Sequence, residues 1–280
     1  FLNMQACHQE DIGAASALRA YYTRIAIAEQ LSLSIESVEL VQIEEDKQLA
    51  MRDGGMPAAV DLSEFERRRI TIRDLQLQLE SQERQLRSLL AQLALMDYRM
   101  DQSRQELLEV SFMPLNVEQL QRMALQNRHD LKGWSYLARQ INETSAPIFA
   151  KMISTLIGGW GMPLPSVGSL KNLICPPDHS GLTANMRHEL NLTVETHRRW
   201  ICQAIEEKAA KLQLTYQRIE LAQQTIRSWE SRLDQLEQLA EMGEAEAEQR
   251  ALARVGLMEA RGEEIRRRLE AKIAEVDLAE

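Results

Sequence analysis

The chain has 280 residues, a net charge of −9 at pH 7, 27% charged residues and only 5% aromatic ones. That acidic balance excludes a nucleic-acid footprint, which needs clustered, uncompensated Lys and Arg; Arg67-Arg68-Arg69 and Arg266-Arg267-Arg268 have Glu beside them and read as solvated helix faces. Few aromatics, with Gly and Pro sparse outside one central stretch, exclude an ordinary globule and fit long coiled-coil helices.

The chain opens at Phe1 with no signal-peptide pattern, as a processed protein or a fragment does. From residue 14 to 53 a helical spacing of Leu18, Tyr22, Ile25, Leu31, Ile35, Val38 and Leu49 ends at Asp53-Gly54-Gly55-Met56-Pro57, a helix-stopping, turn-forming run. Asp61 or Ser63 can cap the helix that follows, expected over 62–99. From Ile72 in that helix, Leu75, Leu79, Gln82, Leu86, Leu89, Leu93 and Met96 follow by steps of three and four. Such a stripe belongs to a helix under-wound to about 3.5 residues per turn. Residues 14–99 therefore make a helical hairpin with its tip near 53–61 and arms about 55–60 Å long.

Residues 100–143 hold a shorter, broken segment, with Pro114 and Asn116 at a cap, and a helix opened by Asn127-Arg128-His129-Asp130-Leu131. Between 144 and 185 Gly and Pro accumulate. This irregular region offers two short strands, over 148–157 and 167–174. No stretch approaches the ~20 apolar residues a spanning helix requires, so any membrane crossing must use strands.

The last part, 186–280, repeats the hairpin plan. Its first arm carries Ile201, Ile205, Lys208, Leu212, Thr215, Ile219, Ala222, Ile226, Trp229, Leu233, Leu236 and Ala240 on one stripe. The turn falls at Met242-Gly243-Glu244, with the tip near 242–246, and Val255, Met258, Ile265, Leu269, Ile273 and Val276 mark the return. The fold class is thus mainly α: two long antiparallel coiled-coil hairpins, an internal duplication, joined by a Gly/Pro-rich or short β segment.

Chemistry has little foothold. The histidines 8, 129, 179, 188 and 197 are scattered, and His188 and His197, nine apart on one helix, point to opposite sides and cannot share an ion. Cys7, Cys175 and Cys202 have no metal-ligand or redox spacing, and no phosphate loop or nucleophile elbow occurs. Met51, Met96, Met100, Met123 and Met258 sit where helix seams need filling. The expectation is no enzyme, no metal and no cofactor.

The order of these features resembles the TolC-like outer-membrane efflux proteins. Ala17-Leu18-Arg19-Ala20-Tyr21-Tyr22, leading to Ile25-Ala26-Ile27-Ala28-Glu29-Gln30-Leu31, looks like the start of the family's long α-barrel helix. Gly54-Gly55 before Asp61-Leu62 looks like a periplasmic tip turn, and Gly243-Glu244 like the second. Arg128-His129-Asp130-Leu131 looks like the family's Arg-Pro-Asp-Leu signature, with Ala146-Pro147 following. His129 stands where the usual proline fixes φ, and leaves Asp130 able to cap the helix. The family's first strand pair would lie before Phe1.

The resemblance implies a homotrimer whose hairpins build a hollow α-barrel. Its helical part would lie in the periplasm beneath the outer membrane, conducting small molecules passively. It implies a periplasmic adaptor and an inner-membrane pump as partners, and no nucleic acid. Asp53, Gly54, Gly55, Met56, Asp61, Met242, Gly243 and Glu244 would form the entrance and touch the adaptor, and acidic rings there would favour cations. Arg128, Asp130 and Leu131 would be structural. The rival reading is a coiled-coil scaffold or adaptor protein that conducts nothing.

Overall fold

The computed structural model describes residues 2–54, 62–94, 108–142, 179–242 and 247–280. Among them, helices α1 (Leu2–Asp53), α2 (Leu62–Ala94), α3 (Val117–Asn127), α4 (His129–Gln140), α5 (His179–Glu241) and α6 (Ala247–Ala279) account for nearly everything. No strand occurs among the described residues. None of these helices contains a proline, and α2 lacks glycine too, so each can propagate without a break.

Three boundaries differ from those read in the sequence. Helix α1 begins at Leu2 rather than near residue 14, because Gly13 is the only weak helix former before Asp53 with no side chain at all, and it interrupts nothing. Helix α2 ends at Ala94, and residues 95–99 lie outside the described ones. Helix α5 begins at His179, so residues 179–185 are helical, not irregular, since the last proline of that region is Pro177. The two candidate strands, over 148–157 and 167–174, fall outside the described residues.

The chain divides into two compact units. The first comprises Phe1–Ala14, Pro114–Ala210 and Glu280, and the second Ala15–Met113 and Lys211–Ala279.

In the second unit the pairing of long helices can be read from side-chain partners. Between α1 and α6, Arg19 pairs with Asp277 at 2.8 Å, Glu29 with Arg268 at 3.8 Å, and Glu36 with Arg261 at 3.9 Å. As numbers rise on α1 they fall on α6, so the two helices are antiparallel. Between α5 and α6, Tyr216 reaches Glu275, Gln223 reaches Glu264, and Arg254 lies 3.5 Å from Glu237, again antiparallel. On the other side of α1, Arg69 of α2 meets Gln42 and Glu45. Helix α6 therefore has both α5 and α1 as neighbours, and α1 has both α6 and α2.

Surface ion pairs are individually weak, and burial of apolar surface supplies most of the cohesion. On α1 the residues Ala20, Ile27, Ser34, Val41 and Gln48, each seven apart, are all buried. A strict seven-residue repeat keeps one seam facing one neighbour. On α5 the stripe anticipated from spacing is the buried one: Ile201, Ile205, Leu212, Thr215, Ile219, Ala222 and Leu236 are inside. Helix α2 behaves otherwise. Leu79 and Leu90 are buried, but Leu75 is 47% exposed and Leu89 and Leu93 are also open. The outer side of α5 likewise exposes Leu214 and Leu221, the latter at 60%.

An extended segment, 108–113, crosses these helices. Leu108 is buried with Ala26 of α1 and Ile265 of α6, and its N–H donates to Glu29 Oε1 at 2.6 Å. Four residues on, the Phe112 ring meets the Tyr216 ring of α5 edge-on at 5.1 Å.

In the first unit the expected cap at Asn116 is present. Its side chain accepts from the Gln119 N–H at 3.0 Å and starts α3. A single extended residue, Arg128, separates α3 from α4. Leu131, Trp134, Leu137 and Ala138 of α4, Ile141 just beyond it, and Met186, Leu190, Val194 and His197 of α5 are buried, and Arg187 donates to the Ile141 carbonyl at 2.6 Å, closing the end of α4.

Candidate functional site

Two places were singled out by the sequence, the hairpin tips and the Arg128–Leu131 motif. At the first tip, α1 ends as the Gly54 N–H bonds to the Ala50 carbonyl at 3.0 Å. Asp53 and Gly54 are exposed there, and Asp53 lies 3.6 Å from the side chain of Arg52. Gly55, Met56 and Asp61 lie outside the described residues. At the second tip, Met242 closes α5 through its N–H to the Gln238 carbonyl, and its side chain is 65% exposed. Gly243 and Glu244 lie outside the described residues. An exposed methionine beside a helix end is an adaptable apolar contact.

The motif builds a buried polar cluster. Arg128 donates to Asp130 from Nε, at 3.1 Å to Oδ1, and from Nη2, at 2.9 Å to Oδ2. His197 of α5 lies with Nε2 2.9 Å from Oδ2. A carboxylate offers no proton, so Nε2 carries the hydrogen and donates it. The Leu131 N–H adds a fourth donor, 2.7 Å from Oδ1. The side chains of Asp130 and His197 are each 3% exposed. Burial alone would push the Asp130 carboxyl up, but hydrogen bonds from His197 and Arg128, with the charge on Arg128, hold it well below the usual carboxylate range.

This arrangement corrects one expectation. Asp130 does not cap α4; Arg128 occupies the N-cap position and makes no side-chain cap bond. Asp130 lies within the first turn, where the helix dipole favours its charge, and two cationic or proton-donating side chains turn it inward.

Neighbouring side chains extend the cluster. Arg128 Nη1 donates to the Glu280 carbonyl at 3.3 Å, and His129 Nδ1 lies 3.2 Å from Asp11 of α1. Three consecutive residues thus reach three different elements: the end of the chain after α6, α1 and α5. In the sequence His197 is one of five scattered histidines with no visible partner, although the α5 stripe extended upstream from Ile201 passes through it and then Val194 and Leu190. The Nδ1 of His197 is buried with no hydrogen-bond partner among the described residues, and its ring stacks on Trp200 at 5.6 Å.

Among the described residues no group of three His, Cys, Asp or Glu is placed to hold a metal ion, and no helix is long and apolar enough to cross a membrane. The cluster joins α4 to α5 through Asp130 and His197.

No family model matches the chain, and no curated protein matches it in sequence. Solved structures do match. A membrane protein from Pseudomonas aeruginosa aligns with 99% of the chain at 14% identity and a TM-score of 0.70, over 68% of its own length. The open state of the Neisseria gonorrhoeae MtrE outer-membrane channel aligns with 98% of the chain at 15% identity and a TM-score of 0.68, over 66% of its length. The outer-membrane protein VceC of Vibrio cholerae aligns with 98% at 12% identity and a TM-score of 0.69, over 71% of its length. The chain spans about two thirds of each of these proteins. Its fold is the helical part of the TolC-like outer-membrane channels, the fold that the order of motifs implied.

Proposed function

We propose that this chain, with the fold of the TolC-like channels, is the channel-forming subunit of a tripartite efflux or secretion system. It conducts small molecules passively through the periplasm and across the outer membrane. Three copies assemble side by side, each giving its α1–α2 and α5–α6 hairpins to a common barrel.

The observation that carries this reading is the pair of open apolar faces. Within one chain α1 and α6 have long-helix neighbours on two sides and still expose Leu18, Ile35, Ile43 and Leu252; α2, with α1 as its long-helix neighbour, exposes Ile70, Leu75, Leu77, Leu89 and Leu93, and α5 exposes Leu214 and Leu221. A coiled-coil stripe left in water has no counterpart in a self-sufficient bundle, so the two outer helices need partners. Joining α2 of one copy to α5 of the next is a heterologous contact, which closes into a ring when the rotation allows.

In such a ring the tips point at the adaptor and pump. Asp53, Gly54, Gly55, Met56 and Asp61 from the first hairpin, with Met242, Gly243 and Glu244 from the second, form the entrance and the adaptor contact. Arg128, Asp130 and Leu131 hold the shorter helix in place and take no part in transport chemistry. No residue performs a reaction, because the pump supplies the energy.

The test is the mass of the full-length protein extracted from membranes in mild detergent, by light scattering with the detergent subtracted. A trimer recovered from the outer-membrane fraction supports the channel. A soluble monomer or dimer overturns it and leaves a coiled-coil scaffold as the better account.

A further inference from the structure

We propose that within the Arg128-His129-Asp130 run the Arg128–Asp130 limb, closed by His197, forms an acid-resistant clasp, which keeps α4 docked on its neighbours at a pH that already loosens the ion pairs of the long hairpins. The inference concerns the first unit by itself and stands whether or not the chain conducts.

The three side chains hold three elements, through Glu280, Asp11 and His197. Their limbs are not equal. The His129–Asp11 contact is open to water, with side chains 37% and 57% exposed, and a pair of that kind adds little. The Asp130 limb is enclosed. Its two oxygens receive Arg128, His197 and the Leu131 N–H, so a proton arriving from solvent must displace donors already in place. Burial opposes charge, yet here the carboxylate is compensated by hydrogen bonds from two side chains and the backbone, the condition under which a buried anion persists.

Other charged groups nearby do not compete for Asp130. On α5, Arg198 is turned to Glu195 and Arg199 is exposed; on α4, Lys132 is exposed; on α1, His8 lies one turn before Asp11. The hairpin links of the second unit are more open: even Glu29 and Glu264, which face Arg268, are 14% exposed against 3% for Asp130. Arg261 with Glu36 and with Glu230 sits at the surface, and Arg19 with Asp277 is about a third exposed. Acid therefore acts in order, first on the cross-links of α6 with α1 and α5, and only later on the clasp.

Amide hydrogen exchange on the full-length protein, read by mass spectrometry at pH 7, 5 and about 3.5, the last below the unperturbed Asp and Glu values of about 3.9 and 4.3, tests this order. With exchange corrected for intrinsic rate, peptides covering 129–140 and 190–201 are expected to keep protection at the lowest pH. Peptides covering 261–277 are expected to lose about tenfold or more relative to pH 7. Loss of both together, or of α4 first, overturns the proposal with no variant needed. A second arm uses His197→Phe, which removes one donor to Asp130 but keeps an aromatic ring beside Trp200. Its α4 peptides should lose protection at a higher pH than wild type. An unchanged profile also overturns the proposal.

Discussion

The indole of Trp229 on α5 lies against the backbone of α6 at Gly256, so close that a Cβ placed there would meet three ring carbons at 2.7–2.9 Å. A glycine inside a helix costs about 1 kcal/mol relative to alanine, and here that cost is offset by the close approach it permits.

Gly256→Ala should therefore destabilise the α5–α6 pair. Overpacking against a rigid ring costs about 1–3 kcal/mol, more than the gain in helix propensity. Gly262 is the control, because a Cβ there would sit 3.6 Å from Leu33 Cδ2, an ordinary contact. Gly262→Ala should be neutral or stabilising. Thermal melting of both variants decides it, and Trp229→Ala in the Gly256→Ala background should recover part of the loss.

Asp130→Asn removes the charge that Arg128 and His197 surround. Leaving a buried cationic group without its partner costs about 3–5 kcal/mol, measurable by urea unfolding at pH 7. The sign with pH follows from a carboxyl held low in the folded state. Its contribution is present above the unfolded value of about 3.9 and disappears as pH falls through the folded value. The gap between wild type and Asp130→Asn should thus persist at pH 5 and close only in stronger acid.

Burial, followed by the charge and hydrogen bonding of Glu275, pushes the Tyr216 phenol up to about 12. A group raised in the folded state contributes stability fully present below the unfolded value of about 10 and lost as pH rises from there through the folded value. In an absorbance titration, the step missing from Tyr216→Phe should be the one centred near pH 12. Replacing Glu275 with Gln should move that step down.

The two faces of α2 should answer differently to substitution. Leu79→Ala, at a buried seam position, should cost about 2–5 kcal/mol in the single chain. Leu75→Gln and Leu89→Gln, on the open face, should change single-chain melting by no more than about 0.5 kcal/mol yet lower the mass seen in detergent. Equal effects of all three on the single chain would contradict an assembly role for the open face.

Much of this architecture was legible in the order of residues. The steps of three and four from Ile201 to Leu236 marked the buried face of α5, because a coiled-coil period leaves a helix one way to turn. Asp53-Gly54 and Met242 marked the helix ends, and Asn116 its cap, because these depend on backbone groups within a turn of each other. Local chemistry writes itself into local sequence.

What tertiary structure alone decided lies between distant positions. The same kind of stripe is inside on α5 and partly outside on α2, since exposure depends on which neighbours a helix has and not on its own period. Asp130 and His197 are 67 residues apart, and only the docking of α4 on α5 brings them within 2.9 Å. Gly256 is on propensity alone a weak point in a helix, and only the packing of Trp229 against it accounts for the missing side chain. Spacing determined which side of each helix is apolar; packing determined what that side meets, because contact energy belongs to pairs of surfaces and neither surface carries it alone.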